Sequence, residues 1–230
     1  MVFIGVCADD DGVKTYADKA SMLSTGIDHL LYASANLQRG IDEIESLLGV
    51  RPVRGGHHPQ YGTHNALLSL GPGIYLEIIA RDPDLPAPER GAFVNIPAEA
   101  HSHLITWVFR TKDIHQALAA AHNAAIGLGP VESGSRRNPD GSEICWQLTD
   151  PYAMPMNGAI PFLIDWGETV HPSAVVPPGG QLAELVIEHP EADSVRRALS
   201  VLGAAVEVTY GDNFRISAKI EAKYGSITLR

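Results

Sequence analysis

The chain has 230 residues and a formal net charge of −10, from 17 basic and 27 acidic side chains. This balance disfavours binding to nucleic acid or to anionic lipid, because both are polyanions. Two cysteines and the absence of a CxxC motif favour a reducing compartment, so we expect a cytoplasmic protein. Residues 1–26 match neither a signal peptide nor the later pattern, and no apolar run could span a membrane. We treat them as an N-terminal extension.

The first repeating unit is predicted at residues 27–81. An apolar strand at 27–34 precedes a helix at 36–49, which Asn36 caps and whose apolar residues recur at helical spacing. Two further strands, 63–70 and 74–80, flank a Gly-Pro-Gly turn and predict a hairpin.

A proline-rich linker at 82–100 leads to a second unit at 101–167. Its predicted elements are a strand at 103–110, a helix at 113–129 that ends at Gly127 or Gly129, and strands at 142–148 and 160–166. After a second linker at 168–180, residues 181–230 predict a partial third unit: a strand at 182–189, a helix at 189–203, and strands at 204–210, 214–222 and 226–229.

The helix starts at Asn36, Asp113 and Asp193 are about 80 residues apart, which indicates an internal repeat. Each unit has the order β–α–β–β–β, with the first strand after the helix short or irregular in units one and two. Because the later strands form hairpins, we predict an α+β fold in which paired βαβββ modules form curved mixed sheets with helices on one side, together with a third partial module.

Several segments resemble the glyoxalase-like branch of the vicinal oxygen chelate superfamily. IDHLLYASANLQRGIDEIESLLGVRP resembles its opening βα unit, GTHNALLSLGPGIYLEIIARDP its closing hairpin, and GSRRNPDGSEICWQL with IPFLIDWG its second module. The resemblance covers residues 27–167 well and 181–230 more loosely. It implies that two modules pair into a cup that holds a metal or a ligand.

The resemblance also implies a metal site at His29, on the first strand, and Glu77, on the fourth. The alternative is that Glu77 faces solvent and His29 is a strand histidine with its hydrogen bonds satisfied. The corresponding positions of module two fall near Thr106, a poor ligand for zinc, and near Asp165, where a shift of one residue would change the side chain. The four-ligand set is therefore incomplete.

His64 is a possible substitute, since His29, His64 and Glu77 would form a two-histidine, one-carboxylate set for a divalent metal. In a metal-free protein, His64 and Asn65 would instead orient a ligand. Glu77 is the catalytic candidate, either as a metal ligand or as a general base with a raised pKa.

Loop residues Arg136 and Arg137 are candidates for recognising a carboxylate or phosphate, although a solvated turn explains them equally well. Trp146 and Trp166 are candidates for an aromatic lining, with the protein core as the alternative.

Two functions stay open at this point. One is a metal-assisted lyase, isomerase or dioxygenase that acts on a small oxygenated molecule. The other is a metal-free protein that binds or sequesters a small molecule. We expect a monomer or homodimer without nucleic-acid or membrane partners.

Overall fold

The structure is a computed structural model that describes residues 26–94, 96–137 and 143–230. The N-terminal extension predicted at 1–26 therefore lies outside the described residues, apart from Gly26. The side chains of Arg136, Arg137 and Glu143 also lie outside them.

Three consecutive segments each contain a strand, a helix and three more strands. The first contains β1 (Ile27–Ala33), α1 (Leu37–Leu48), β2 (Val53–His58), β3 (Thr63–Ser69) and β4 (Tyr75–Arg81). The second contains β5 (His103–Arg110), α2 (Ile114–Asn123), β6 (Val131–Arg137), β7 (Glu143–Thr149) and β8 (Phe162–Asp165). The third contains β9 (Gln181–His189), α3 (Ala192–Leu202), β10 (Glu207–Tyr210), β11 (Arg215–Ala222) and β12 (Gly225–Leu229).

The first two segments share one eight-stranded mixed sheet with the order β2-β3-β4-β1-β5-β8-β7-β6. Each segment pairs its first strand in parallel with its last, β1 with β4 and β5 with β8, and the segments join through the antiparallel pair β1–β5. The sheet curls so strongly that its edge strands β2 and β6 contact each other. The predicted α+β fold of paired βαβββ modules in a curved sheet is confirmed.

The third segment repeats the chain order but pairs differently. Its sheet has the order β10-β9-β11-β12, so β9 pairs in parallel with the strand that follows the helix. This sheet adjoins the larger one where β11 contacts β5 and α3 contacts α2.

The helix ends follow from local chemistry. Asn36 caps α1 by accepting a hydrogen bond from the Arg39 backbone N–H at 3.1 Å, and Gly49 ends the helix with a left-handed φ of 72°. The end of α2 predicted at Gly127 or Gly129 is wrong. The helix ends at Asn123 and Ala125 turns left-handed, which brings Ile126 into the core.

Strand alternation divides the large sheet into two faces. On β4, Leu76 and Ile78 face the helices and pack in the main core with Ile41 and Ile44 of α1. Their neighbours Tyr75, Glu77 and Ile79 face the concave side. Among the described helices, none is long and apolar enough to cross a membrane.

Candidate functional site

The concave face of the curled sheet forms a cup with a cavity volume of about 70 Å³. Its polar floor lies in the first segment, and the second segment supplies apolar walls. The main lining residues are His29, His58, Asn65, Tyr75 and Glu77 on one side, and Trp146, Leu148, Phe162, Ile164 and Trp166 on the other.

A β-bulge places Asp28 directly behind His29. The pairing register between β1 and β5 shifts between Ile27 and His29, so Asp28 is the extra residue and its side chain is re-aimed. The carboxylate of Asp28 is fully buried and lies 2.7 Å from Nδ1 of His29. It also accepts a hydrogen bond from Nε1 of Trp166 at 3.0 Å and lies 3.0 Å from Nε2 of His171. Asp28 therefore fixes the orientation of His29.

The other ring nitrogen of His29 contacts Glu77. Its Nε2 lies 3.3 Å from Oε2 of Glu77, and Oε1 of Glu77 accepts a hydrogen bond from the side-chain amide of Asn65 at 2.8 Å. Tyr75 stacks on the imidazole, with ring centroids 4.4 Å apart. The polar floor is thus a continuous chain of Asp28, His29, Glu77 and Asn65.

The electrostatics of this hydrogen-bonded network favour the charged forms of its ionisable side chains. Burial opposes the imidazolium, but the hydrogen bonds and charges of Asp28 and Glu77 outweigh it and raise the pKa of His29 to about 9. Burial likewise opposes ionised Glu77, yet His29 and Asn65 lower the pKa of this carboxyl to about 2. Asp28 behaves in the same way, and its pKa also falls to about 2. At neutral pH these three groups carry a net charge of −1, and the guanidinium of Arg110 lies 3.8 Å from Asp28 beside them.

These residues do not fit the metal that the family resemblance implies. Within the described part of the cup, His29 and Glu77 are the only donors of the implied set: Nδ1 of His29 contacts Asp28, and its Nε2 lies 3.3 Å from Oε2 of Glu77. The described residues of the second segment supply no replacement ligand: Thr106 is buried, does not line the cup and donates to the carbonyl of Gly158, while Asp165 accepts from the Gly167 backbone N–H. The side chain that faces the cup beside Asp165 is Ile164.

The low pKa of Glu77 also departs from the raised pKa that a metal-free general base would need. The cause is the cation beside it, which stabilises the carboxylate more than burial destabilises it.

His64 lies on the opposite face of the sheet from the cup, so the predicted metal set of His29, His64 and Glu77 does not form. On β3, Thr63 and Asn65 line the cup, and His64 between them projects to the reverse side. There its Nδ1 lies 3.8 Å from Asp82. Asn65 does join Glu77, as a hydrogen-bond donor.

Aromatic side chains form part of the cup wall. Trp146 and Trp166 line it with ring centroids 5.5 Å apart, whereas Trp107 is buried in the main core. The side chains of Arg136 and Arg137 are outside the described residues.

Sequence reasoning missed several residues of the site, among them Asp28, His58, Tyr61, Tyr75 and Phe93. Asp28 adjoins His29 in sequence, but strict strand alternation would have placed the two side chains on opposite faces.

Polar contacts bridge the two segments beside the cup. Tyr61 donates a hydrogen bond to Glu132 of β6 at 3.0 Å. Arg90 pairs with Asp150 at 2.6 Å and covers the ring of Tyr152. We call these contacts the seam of the cup.

Comparison with known proteins supports the architecture. The family model of the Glyoxalase-like domain matches residues 27–203, well over half of the chain. No functionally curated protein matches the sequence significantly. A hypothetical protein from Staphylococcus aureus is similar in structure, with a TM-score of 0.56 at 15% identity, over 88% of this chain and 83% of that one.

Two methylmalonyl-CoA epimerases are more distant in structure. The enzyme from Streptomyces coelicolor, in complex with 2-nitronate-propionyl-CoA, has a TM-score of 0.40 at 18% identity and covers 64% of this chain and 99% of its own. The enzyme from Mycobacterium tuberculosis has a TM-score of 0.39 at 17% identity, with 67% and 95% covered. The sequence match decides the relationship, and this chain belongs to the Glyoxalase-like domain family of the vicinal oxygen chelate superfamily.

Proposed function

We propose that the cup binds a small, largely apolar molecule without a metal, and that the molecule donates a hydrogen bond to Glu77. The observation that carries this proposal is the buried Glu77 carboxylate in a cup where the described residues supply only one other donor of the implied metal set, His29. Without a metal, the contacts of His29 with Asp28 and Glu77 favour its cationic form, and Glu77 is a buried anion.

The carboxylate of Glu77 can accept further hydrogen bonds from a ligand. A carboxylate can accept about four hydrogen bonds, and Asn65 and His29 account for two of them. A ligand hydroxyl or ammonium group could fill a remaining position while its apolar body contacts the wall of Trp146, Phe162 and Trp166. A hydroxyl-bearing molecule also agrees with the small oxygenated ligand expected from the sequence.

The position of Glu77 argues against a ligand that inserts an oxyanion. Glu77 is an anion that faces the cup, whereas Arg110, which lies 3.8 Å from Asp28, does not line it, and no described lysine or arginine does. A carboxylate or phosphate would lose its hydration there and meet a like charge. A cationic or neutral donor is the better match.

Proton transfer, as in a metal-free isomerase, is the second candidate. The chain Asp28–His29–Glu77 has the connectivity of a proton relay. Its pKa values lie far from neutrality, however, and an efficient acid or base at pH 7 needs a pKa near 7. Binding is therefore the function that the geometry supports best.

Four probes with one aromatic ring test the proposal: phenol, benzylamine, toluene and benzoate. Titration calorimetry of the wild type, in EDTA, should give tighter binding of phenol and benzylamine than of toluene, with benzoate weakest. Glu77→Gln should reduce the benzylamine preference over toluene at least tenfold, because the anion is lost. Tightest binding of benzoate, or binding that requires added metal, would refute the proposal.

A further inference from the structure

A second polar cluster lies on the reverse face of the sheet, away from the cup. His57 of β2 and His64 of β3 are direct cross-strand partners, and Asp82 follows the last residue of β4. Their neighbours His58 and Asn65 point into the cup, so the thickness of the sheet separates the two sites.

The donor atoms of the cluster converge. Nδ1 of His57 lies 2.5 Å from Oδ2 of Asp82, and Nδ1 of His64 lies 3.8 Å from Oδ1 of the same carboxylate. One ligand atom from each of the three residues lies within 4.8 Å of the others. Zinc binds such atoms at about 2.0–2.2 Å, so donors around one ion are roughly 3–4 Å apart. Small side-chain rotations would bring the three donor atoms to coordination distance from one ion.

Asp82 is held in place before any ion binds. Its side chain is fully buried, its backbone N–H donates to the carbonyl of Gly62 at 3.0 Å, and its Oδ1 accepts from the backbone N–H of Asp84 at 3.1 Å. The side chain of His57 is 63% exposed, which gives an ion a path from solvent and leaves room for water ligands.

We propose that His57, His64 and Asp82 form a binding site for a divalent transition-metal ion such as Zn²⁺, with water completing its coordination. Two imidazoles and one carboxylate are a donor set that binds zinc and other first-row metals while open positions remain. Among the described residues, this is the one group whose histidine and carboxylate atoms converge in this way.

A metal here would lie outside the cup but would bind a residue at the start of a segment that leads to the cup wall. Asp82 begins the segment that crosses to the cup wall, where Phe93 lies against Tyr61 and its N–H donates to the carbonyl of Tyr61. An ion that bridges β2, β3 and Asp82 would fasten the start of this segment. Metal binding should therefore raise thermal stability without entering the cup.

The test uses the untagged full chain, freed of metal with EDTA and then dialysed against Zn²⁺. The wild type should retain one zinc ion per chain, and a double variant of His57→Ala with His64→Ala should retain none. Co²⁺ should give visible d–d absorption with the wild type and none with the double variant. Two controls, His115→Ala on the exposed face of α2 and Glu77→Gln in the cup, should bind zinc as the wild type does.

The melting temperature in EDTA separates lost binding from lost folding. This temperature should differ little between the wild type and the single variant His57→Ala, whose side chain is mostly exposed. Of these two proteins, the wild type alone should gain stability with Zn²⁺. Zinc retained by the double variant, or a wild type without stoichiometric zinc, would overturn the proposal. Zinc lost in Glu77→Gln but kept in the double variant would do the same, and would also contradict the metal-free cup.

Discussion

Replacing Glu77 with glutamine should cost stability in a manner that depends on pH. His29 is raised from its ordinary pKa of 6.5 to about 9, which corresponds to about 3 kcal/mol in favour of its charged form. Asp28 and Glu77 share this effect, so the Glu77 part is about 1–2 kcal/mol. For a chain of this size, that lowers the melting temperature by about 3–6 °C.

The pH dependence follows from the two pKa values. His29 gains stability by being charged when folded, so its contribution is complete below pH 6.5 and disappears as pH rises through 9. The Glu77 contribution is complete above pH 4.5 and disappears as pH falls through 2. The difference between wild type and Glu77→Gln should therefore be largest between about pH 5 and 6.5.

Melting curves from pH 5 to 10 provide the assay. The exposed glutamate Glu221, which pairs with Lys219, supplies a matched control, and Glu221→Gln should leave the melting temperature nearly unchanged. A Glu77→Gln deficit that stays constant from pH 5 to 10 would show that the charge of His29 is not the cause. No deficit at any pH would show that the ion pair contributes nothing to stability.

Two further substitutions should each lower the free energy of unfolding. Asp28→Asn removes a buried charge that contacts His29 and accepts from Trp166, so urea denaturation should show a loss of about 3 kcal/mol or more, and a loss under 1 kcal/mol would contradict the proposed role of Asp28. Gly40→Ala should destabilise α1 by about 1–3 kcal/mol despite the better helix propensity of alanine, because the new Cβ would lie 2.6 Å from Ile78. The control Gly127→Ala meets no atom within 4 Å and should change stability by less than about 0.5 kcal/mol in the same assay, so equal effects at the two glycines would exclude overpacking.

The sequence predicted those parts of the fold in which local signals agree. The cap at Asn36, the stop at Gly49 and the apolar spacing of α1 all specify the same helix, and the structure contains it at 37–48. The strands of the hairpin at 63–80 were also predicted, because their apolar residues and the turn between them indicate the same structure.

Edge strands were harder to predict. β2 has the sequence VRGGHH and β6 the sequence VESGSRR, and both end the eight-stranded sheet. An edge strand covered on one side needs little apolar surface, so its sequence looks like a loop. These were the strands expected to be short or irregular. β2 has six residues and a register shift between Arg54 and His57, whereas β6 has seven residues.

The site was predictable by residue type and less so by geometry. His29, Asn65 and Glu77 converge as strand alternation requires. The same alternation turns His64 away, and it could have shown that His64 and Asn65 cannot both face the cup. The contact of Asp28 with His29 depends on a bulge, which leaves no clear signal in a single sequence.

The contact between β2 and β6 links ligand access to self-association. Unpaired strand edges can add strands from other molecules, and here the curl of the sheet brings the two edges together beside the cup. The seam contacts of Tyr61 with Glu132 and of Arg90 with Asp150 hold this arrangement. Salt weakens the exposed ion pair at Arg90, so high ionic strength should loosen the seam beside both the aromatic cavity and the two strand edges. Faster ligand exchange and a greater tendency to aggregate should then appear together.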